Sequence, residues 1–283
     1  MPNLPLHHRT AARLADFSAK PGHAVVLLGP AGSGKYTQAR LLAAQLLGLP
    51  EDALARHAYF RHVVNASGEA SIPIDAVREL EHFLSRRVPG NKNRVVLVEN
   101  AGTMGHEAQN ALLKTLEEPP DQTYLILTAT DKSLLPTILS RAAHIDIAPP
   151  DYGTLEAYFA GHGYDKADIR RNFLLAGGLP GLLATLLAGG TDEPLAQAAV
   201  TARDILRQST FERLALIDTL AKQKSQLLLA TQVLQRMAHV GLMSGRQTTT
   251  WQRLLTASYQ AELALVGSAQ PKLVLTDLML KLG

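Results

Sequence analysis

Ala24-Val25-Val26-Leu27-Leu28 leads directly into Gly29-Pro30-Ala31-Gly32-Ser33-Gly34-Lys35, then Tyr36-Thr37, with a helical pattern over Arg40 to Leu47. A short apolar β-rich run that meets a glycine cluster reads as a strand. The glycines and Lys35 fit the G-x-x-x-x-G-K core of a phosphate loop, set between a strand and a helix as that motif requires. Glycines let backbone N–H groups turn toward phosphate oxygens. The helix N-terminus adds positive partial charge, and the lysine reaches the β- and γ-phosphates. Gly29, Gly32, Gly34 and Lys35 are therefore candidate nucleotide-binding residues.

Working outward, Arg94 to Glu99, Tyr124 to Thr128 and Ala143 to Ile147 are further apolar runs. Between them, Asp75 to Arg87 and Glu107 to Glu117 have helical spacing, the second stopping at Pro119-Pro120. Strands alternating with helices predict an α/β core over 1–150 with a mainly parallel sheet covered on both faces. Pro149-Pro150 closes that region, and no convincing strand follows. Leu155 to Gly161, Lys166 to Ala176 and Leu182 to Leu187 predict a small helical lid over 151–190. Gly189-Gly190-Thr191-Asp192 reads as a linker with Asp192 capping the next helix. Helical patterns over 193–208, 210–222, 224–243, 247–267 and 271–282 predict an all-α bundle over 191–283.

Composition narrows the chemistry. Of 283 residues, 46% are hydrophobic and 19% charged, which supports a packed core and argues against wholesale disorder. There are no cysteines, so disulfides, Cys-ligated zinc, iron–sulfur clusters and a thiol nucleophile are excluded. Lys and Arg total 28 against 25 Asp and Glu, a net charge of +3 that is too small to predict nucleic-acid binding by the whole surface. No apolar run is long enough to span a bilayer, and the first nine residues lack the apolar stretch of a signal peptide. The expectation is a cytoplasmic protein with no membrane contact.

The phosphate loop is defective at its next position. The motif calls for Ser or Thr, whose hydroxyl ligates Mg²⁺, and Tyr36 stands there. Thr37 follows, but one helical step turns it by about 100° onto another face. At the end of the Arg94 strand comes Glu99-Asn100. Glu99 can touch a metal, whereas the amide of Asn100 cannot accept a proton near neutral pH. Thr37 and Glu99 complete a degenerate nucleotide site that is not expected to hydrolyse ATP.

His106-Glu107-Ala108-Gln109-Asn110-Ala111-Leu112-Leu113-Lys114-Thr115-Leu116-Glu117-Glu118-Pro119, together with Ser140-Arg141, resembles the clamp-loader ATPases of the AAA+ class. The broken loop is similar to the non-hydrolysing, stator-like members of that family. The resemblance implies a subunit of the DNA polymerase III clamp loader that loads the sliding clamp onto primed DNA. Its implied partners are gamma/tau-type ATPase subunits and a delta-type subunit, with the C-terminal bundle as the oligomerising collar. It also implies that Arg141, supported by Ser140, acts in trans as an arginine finger on a neighbour's ATP. Thr130, with Asp131, falls at the family's polar sensor position after the Tyr124 strand. Gly178-Leu179-Pro180-Gly181 carries no arginine where hydrolysing relatives have one. Many relatives hold zinc through four cysteines after the first helix; here Leu49 to Asn65 has only His57 and His62, read as solvent-facing, so no metal site is expected. No cofactor is required, and whether ATP or ADP occupies the loop stays open. The alternative function is an active gamma/tau-type ATPase. A small P-loop kinase would need neither the Leu112–Pro119 run nor Ser140-Arg141.

Weaker features have ordinary readings. Arg86, Arg87, Lys92 and Arg94 form a basic cluster, either near DNA phosphate or, on the favoured reading, complementing a helix C-terminus and a solvated loop. His7-His8 reads as a disordered terminus. Trp251, spaced with Leu254, Leu255 and Tyr259, reads as core or subunit packing.

Overall fold

The computed structural model describes residues 4–65, 71–90, 92–130, 134–190, 192–245 and 247–282. Asp131 and Thr191 lie outside them. The chain forms two compact units, Met1–Ala148 and Pro149–Gly283.

The first unit runs α1 (His8–Ala19), β1 (Ala24–Leu28), α2 (Lys35–Leu47), β2 (Phe60–Val63), α3 (Ile74–Ser85), β3 (Arg94–Val98), α4 (His106–Glu117), β4 (Thr123–Ala129), α5 (Pro136–Leu139) and β5 (Ala143–Asp146). The strands form one sheet in the order β2-β3-β4-β1-β5, with every pair parallel. Side chains alternate across a strand, and the sheet carries one core on each face. Val26, Val96, Val98, Leu125 and Leu127 pack with Val77, Leu80 and Leu84 of α3 and Leu112 and Leu116 of α4. Val25, Leu27, Val95, Leu97 and Ile126 pack with Phe17 of α1 and Ala39, Leu42 and Ala43 of α2.

Two elements differ from the sequence reading. His7 and His8 are ordered: His8 opens α1, and the His7 ring nitrogen accepts from the Arg9 amide. The Thr10 hydroxyl donates to the Asp146 carbonyl at 2.8 Å and accepts from the Ala148 amide, so α1 is pinned along the edge strand β5. The segment between α2 and α3, for which no element was predicted, holds a 3-10 turn (Glu51–Arg56) and the edge strand β2.

Arg94 leaves the basic cluster. It is 3% exposed, and its guanidinium donates to the carbonyls of Phe83 and Arg86 at the end of α3 and to the Thr123 hydroxyl. Burial lowers its pKa. It closes the C-terminus of α3, where free carbonyls need donors, while Arg86, Arg87 and Lys92 remain exposed.

The second unit is helical throughout among the described residues: α6 (Tyr152–Gly161), α7 (Lys166–Leu175), α8 (Pro180–Leu187), α9 (Pro194–Arg207), α10 (Thr210–Ala215), α11 (Ile217–Leu220), α12 (Lys224–Met243), α13 (Thr248–Val266) and α14 (Pro271–Lys281). Its starts are chemically marked. Asp151 and Asp165 cap α6 and α7 through their carboxylates, and Ser209 with Glu212 forms a capping box on α10. Proline sits in the first turn of α8, α9 and α14. Asp192 does not cap α9: the cap position is Glu193, with no side-chain bond. The single 210–222 segment divides into α10 and α11 at Leu216. No helix among the described residues is long and apolar enough to cross a membrane.

Gly241 on α12 lies directly against Trp251 of α13. A Cβ at that position would lie 2.3 Å from the Trp251 indole. Overpacking a closed core costs about 1–3 kcal/mol, so Gly241→Ala should lower unfolding stability by that amount. Trp251 is the sole tryptophan, so its emission reports the change directly in a urea titration. An unchanged midpoint would contradict this packing.

Candidate phosphate loop and arginine edge

In a parallel sheet all strands leave by the same edge. The β1 amide ladder continues into the loop through the Gly29 N–H, which donates to the Ala129 carbonyl at 3.1 Å. Gly32 and Gly34 have φ of 80° and 85°, left-handed values that a side chain resists. They turn the loop so that α2 begins at Lys35. Lys35 is 6% exposed, and its Nζ donates to the Pro30 carbonyl at 3.3 Å. Ser33 is 1% exposed, and its Oγ has no hydrogen-bond partner among the described residues. A buried, unpaired hydroxyl normally calls for a ligand or ordered water. Leu4 lies against Gly34, and the Gln38 amide donates to the Leu4 carbonyl at 3.3 Å, so Leu4 forms one wall of the loop.

Glu99 follows β3 and Thr130 follows β4, at the same exit edge. The Asn100 amide donates to the buried Thr128 hydroxyl at 2.9 Å, which ties the ends of these two strands. Thr130 itself is exposed. Thr37 is half-buried in the first turn of α2. Gly29, Gly32, Gly34, Lys35, Glu99 and Thr130 thus share one edge.

His62 is the residue the sequence reading missed. It is not a loop histidine facing water. It sits on β2, in register with Leu97 of β3, and its side chain is 26% exposed. A carboxylate only accepts hydrogen bonds, so the His62 Nε2–H donates to Glu99 Oε2, at 3.0 Å. The imidazole also stacks on the Tyr36 ring, with centroids 5.4 Å apart and planes 25° apart. Arg40, one turn further along α2, donates to the Tyr36 hydroxyl and to the Glu51 carboxylate. These bonds raise the Arg40 pKa. His57, the other histidine of the segment, is half-buried and edge-on to Tyr59. No group of three or more His, Asp or Glu that could hold a metal occurs among the described residues.

The chemistry present fits one half of a Mg²⁺–nucleotide better than the other. Turned glycines, a helix N-terminus, an orphaned hydroxyl and a lysine suit a polyphosphate. The Mg²⁺ half is the poorer fit, because a tyrosine ring stands where the ligating hydroxyl would be and Glu99 Oε2 is bonded to His62.

Arg141 lies at the opposite edge. It precedes β5, whose first residue Ala143 pairs with Val25 near the start of β1, while the phosphate loop follows the end of β1. The length of β1 separates them, about 15 Å at about 3.3 Å per residue. Arg141 therefore has no access to the loop of its own chain. Its guanidinium pairs with Glu117 at 2.7 Å, with side-chain exposures of 36% and 51%. It also donates to the Thr137 carbonyl and the Ser140 hydroxyl, and Ser140 in turn donates to Thr137. Helix α4 builds this edge. Leu112 and Leu116 bury it against the sheet. Gln109 near its start accepts from the Leu135 amide that opens α5, and Glu117 at its end holds Arg141.

Fold and site together define a P-loop α/β unit of the AAA+ class, with a phosphate loop on one sheet edge and an arginine on the other. The family model described as "DNA polymerase III, delta subunit" matches residues 15–151. Over those residues the chain therefore resembles the DNA polymerase III delta-subunit family. It is 35% identical over 207 residues to DNA polymerase III subunit delta' of Pseudomonas aeruginosa, a match covering 67% of this chain and 63% of that protein. It is 29% identical over 161 residues to subunit delta' of Haemophilus influenzae, covering 52% of this chain and 49% of that one. The matched region therefore spans about half to three-fifths of these relatives. A solved DNA polymerase III gamma subunit-related protein from Thermotoga maritima shares the fold, with a TM-score of 0.52 at 16% identity over 96% of this chain and 98% of that one.

Since the Ser33 hydroxyl bonds nothing among the described residues, Ser33→Ala should leave unfolding stability within about 0.5 kcal/mol of wild type. Any loss should instead appear in binding of a polyphosphate to the loop. A marked loss of stability by calorimetry would show that the hydroxyl serves the fold.

Proposed function

We propose that the chain is a delta'-type clamp-loader subunit, a stator that hydrolyses no ATP and lends Arg141 to the ATP site of a gamma/tau-type neighbour. The single observation that carries this reading is the placement of Arg141. It stands on the surface at the sheet edge opposite its own phosphate loop, where only another molecule's nucleotide can meet it. A guanidinium offers planar donors and a fixed charge to a γ-phosphate as charge redistributes during transfer. The Glu117 pair is an exposed ion pair, worth about 0–1 kcal/mol, so exchanging the carboxylate for a polyphosphate costs little.

Further support comes from the phosphate loop and the helical unit. Tyr36 and the engaged Glu99 leave a poor shell for Mg²⁺, which argues against the active gamma/tau-type alternative. On α13, Tyr259, Leu263 and Val266 are more than half exposed at i, i+4 and i+7, so they share one face. Leu273 and Leu280 repeat this on α14. Such stripes suit a collar packed against sister subunits, including a delta-type subunit. On this reading the assembly opens a sliding clamp and places it on primed DNA in the cytoplasm. The chain itself needs no zinc and no cofactor of its own.

Arg141→Ala should slow hydrolysis at the adjacent site of a reconstituted assembly by about 10²–10³-fold, the usual loss when one charge-stabilising donor is removed. The isolated chain should show no turnover above background. Unchanged hydrolysis in the Arg141→Ala assembly, measured site by site in single turnover, would sink the in-trans role. Ordinary turnover by the isolated chain would sink the stator.

A further inference from the structure

The row of side chains beside the phosphate loop is continuous. Glu51 holds Arg40, Arg40 donates to the Tyr36 hydroxyl, Tyr36 stacks on His62, and His62 donates to Glu99. It crosses four parts of the fold: the 3-10 turn, α2, β2 and the residue after β3. Each link in it is a direct contact between neighbouring side chains. Glu99 is the only carboxylate at the end of β3, and its Oε2 is committed to the imidazole.

From this geometry we infer that His62, rather than Tyr36 alone, is what removes the metal from this site. His62 is a positioning residue that holds Glu99 away from metal duty, and Tyr36 locks His62 in place by stacking. The loop is therefore a metal-independent polyphosphate site, to which Mg²⁺ adds no affinity. The inference rests on reading Gly29 to Lys35 as a phosphate loop, and it makes a claim that reading does not. If the absent hydroxyl were the whole defect, restoring it would suffice. If Glu99 is held by His62, restoring the hydroxyl leaves the acid engaged, and both residues must change before Mg²⁺ can contribute.

The wild-type chain and four variants separate these cases: Tyr36→Thr, His62→Ala, Tyr36→Thr/His62→Ala and Tyr36→Thr/His62→Gln. ADP binding to each isolated chain is measured by calorimetry in excess EDTA and in saturating Mg²⁺, after thermal melting shows the variant folded. The readout is the ratio of the two affinities. It should be near one for wild type, for both single variants and for the His62→Gln double variant, whose side-chain amide still donates to Glu99. It should rise at least about tenfold for the His62→Ala double variant, the scale on which residues behind a ligand alter metal affinity. Tyr36→Thr/His62→Ser takes its place if that protein does not fold. Adding Glu99→Gln to the double variant should return the ratio to about one. A Mg²⁺ effect in Tyr36→Thr alone, or its absence in the His62→Ala double variant, overturns the inference. So does an equal effect in the His62→Gln and His62→Ala double variants. If no chain binds ADP in either condition, the phosphate-loop reading fails and takes this inference with it. The role of Arg141 would stand or fall separately, on turnover in the assembly.

Discussion

The common direction of the five strands is the constraint on which the site depends. Because every pair is parallel, each strand needs a crossover to return, and all strand ends gather at one edge. That edge receives the phosphate loop, Glu99 and Thr130. The residues before each strand gather at the other edge, which is where Arg141 and Glu117 meet. A reversal of β5 alone would bring Arg141 toward the loop and erase the distinction between receiving a nucleotide and reaching for one. The apolar runs β1 and β3, buried on both faces, fix this arrangement energetically, since neither can move to an edge without exposing a face.

Much of this architecture was legible in the residues. Ala24–Leu28 was read as a strand to the residue, and the patterns of β3, β4, β5, α3 and α4 were placed within a residue or two. Continuous apolar runs and helical periodicity are local signals, and central strands and amphipathic helices produce them strongly. Edge strand β2, helix α1 and the four-residue helix α5 left no such signal. Phe60-Arg61-His62-Val63 mixes charge with apolar residues because β2 is an edge strand with only Val63 fully buried. Helix α1 buries only Thr10 and Phe17, too sparse a stripe to mark it.

The site divides along the same line. The loop glycines, Lys35, Glu99 and Arg141 announce themselves by motif and by resemblance. The Tyr36–His62–Glu99 contact does not, because His62 and Glu99 are 37 residues apart and meet only once β2 has docked on β3 in a particular register. Slipping that register by one residue would turn His62 to the other face of the sheet. Tyr36 in isolation looks like a missing ligand. Only the folded edge shows that it also has a partner. Arg94 makes the reverse point, since a charge that looks like surface turned out to be an interior cap.

Gln109 shows how narrowly one side chain can be specified. Its Nε2 donates to the Met104 carbonyl at 3.0 Å while its Oε1 accepts from the Leu135 amide at 2.8 Å, and it is 4% exposed. The two ends of the amide are therefore distinguishable, and the group has a single orientation. Glutamate would place an acceptor against the Met104 oxygen, leucine would orphan both backbone groups, and asparagine is one methylene short. The position is thus written in the alphabet of hydrogen-bond polarity rather than of size or hydrophobicity, and a neutral amide on a two-methylene stem is the spelling that fits.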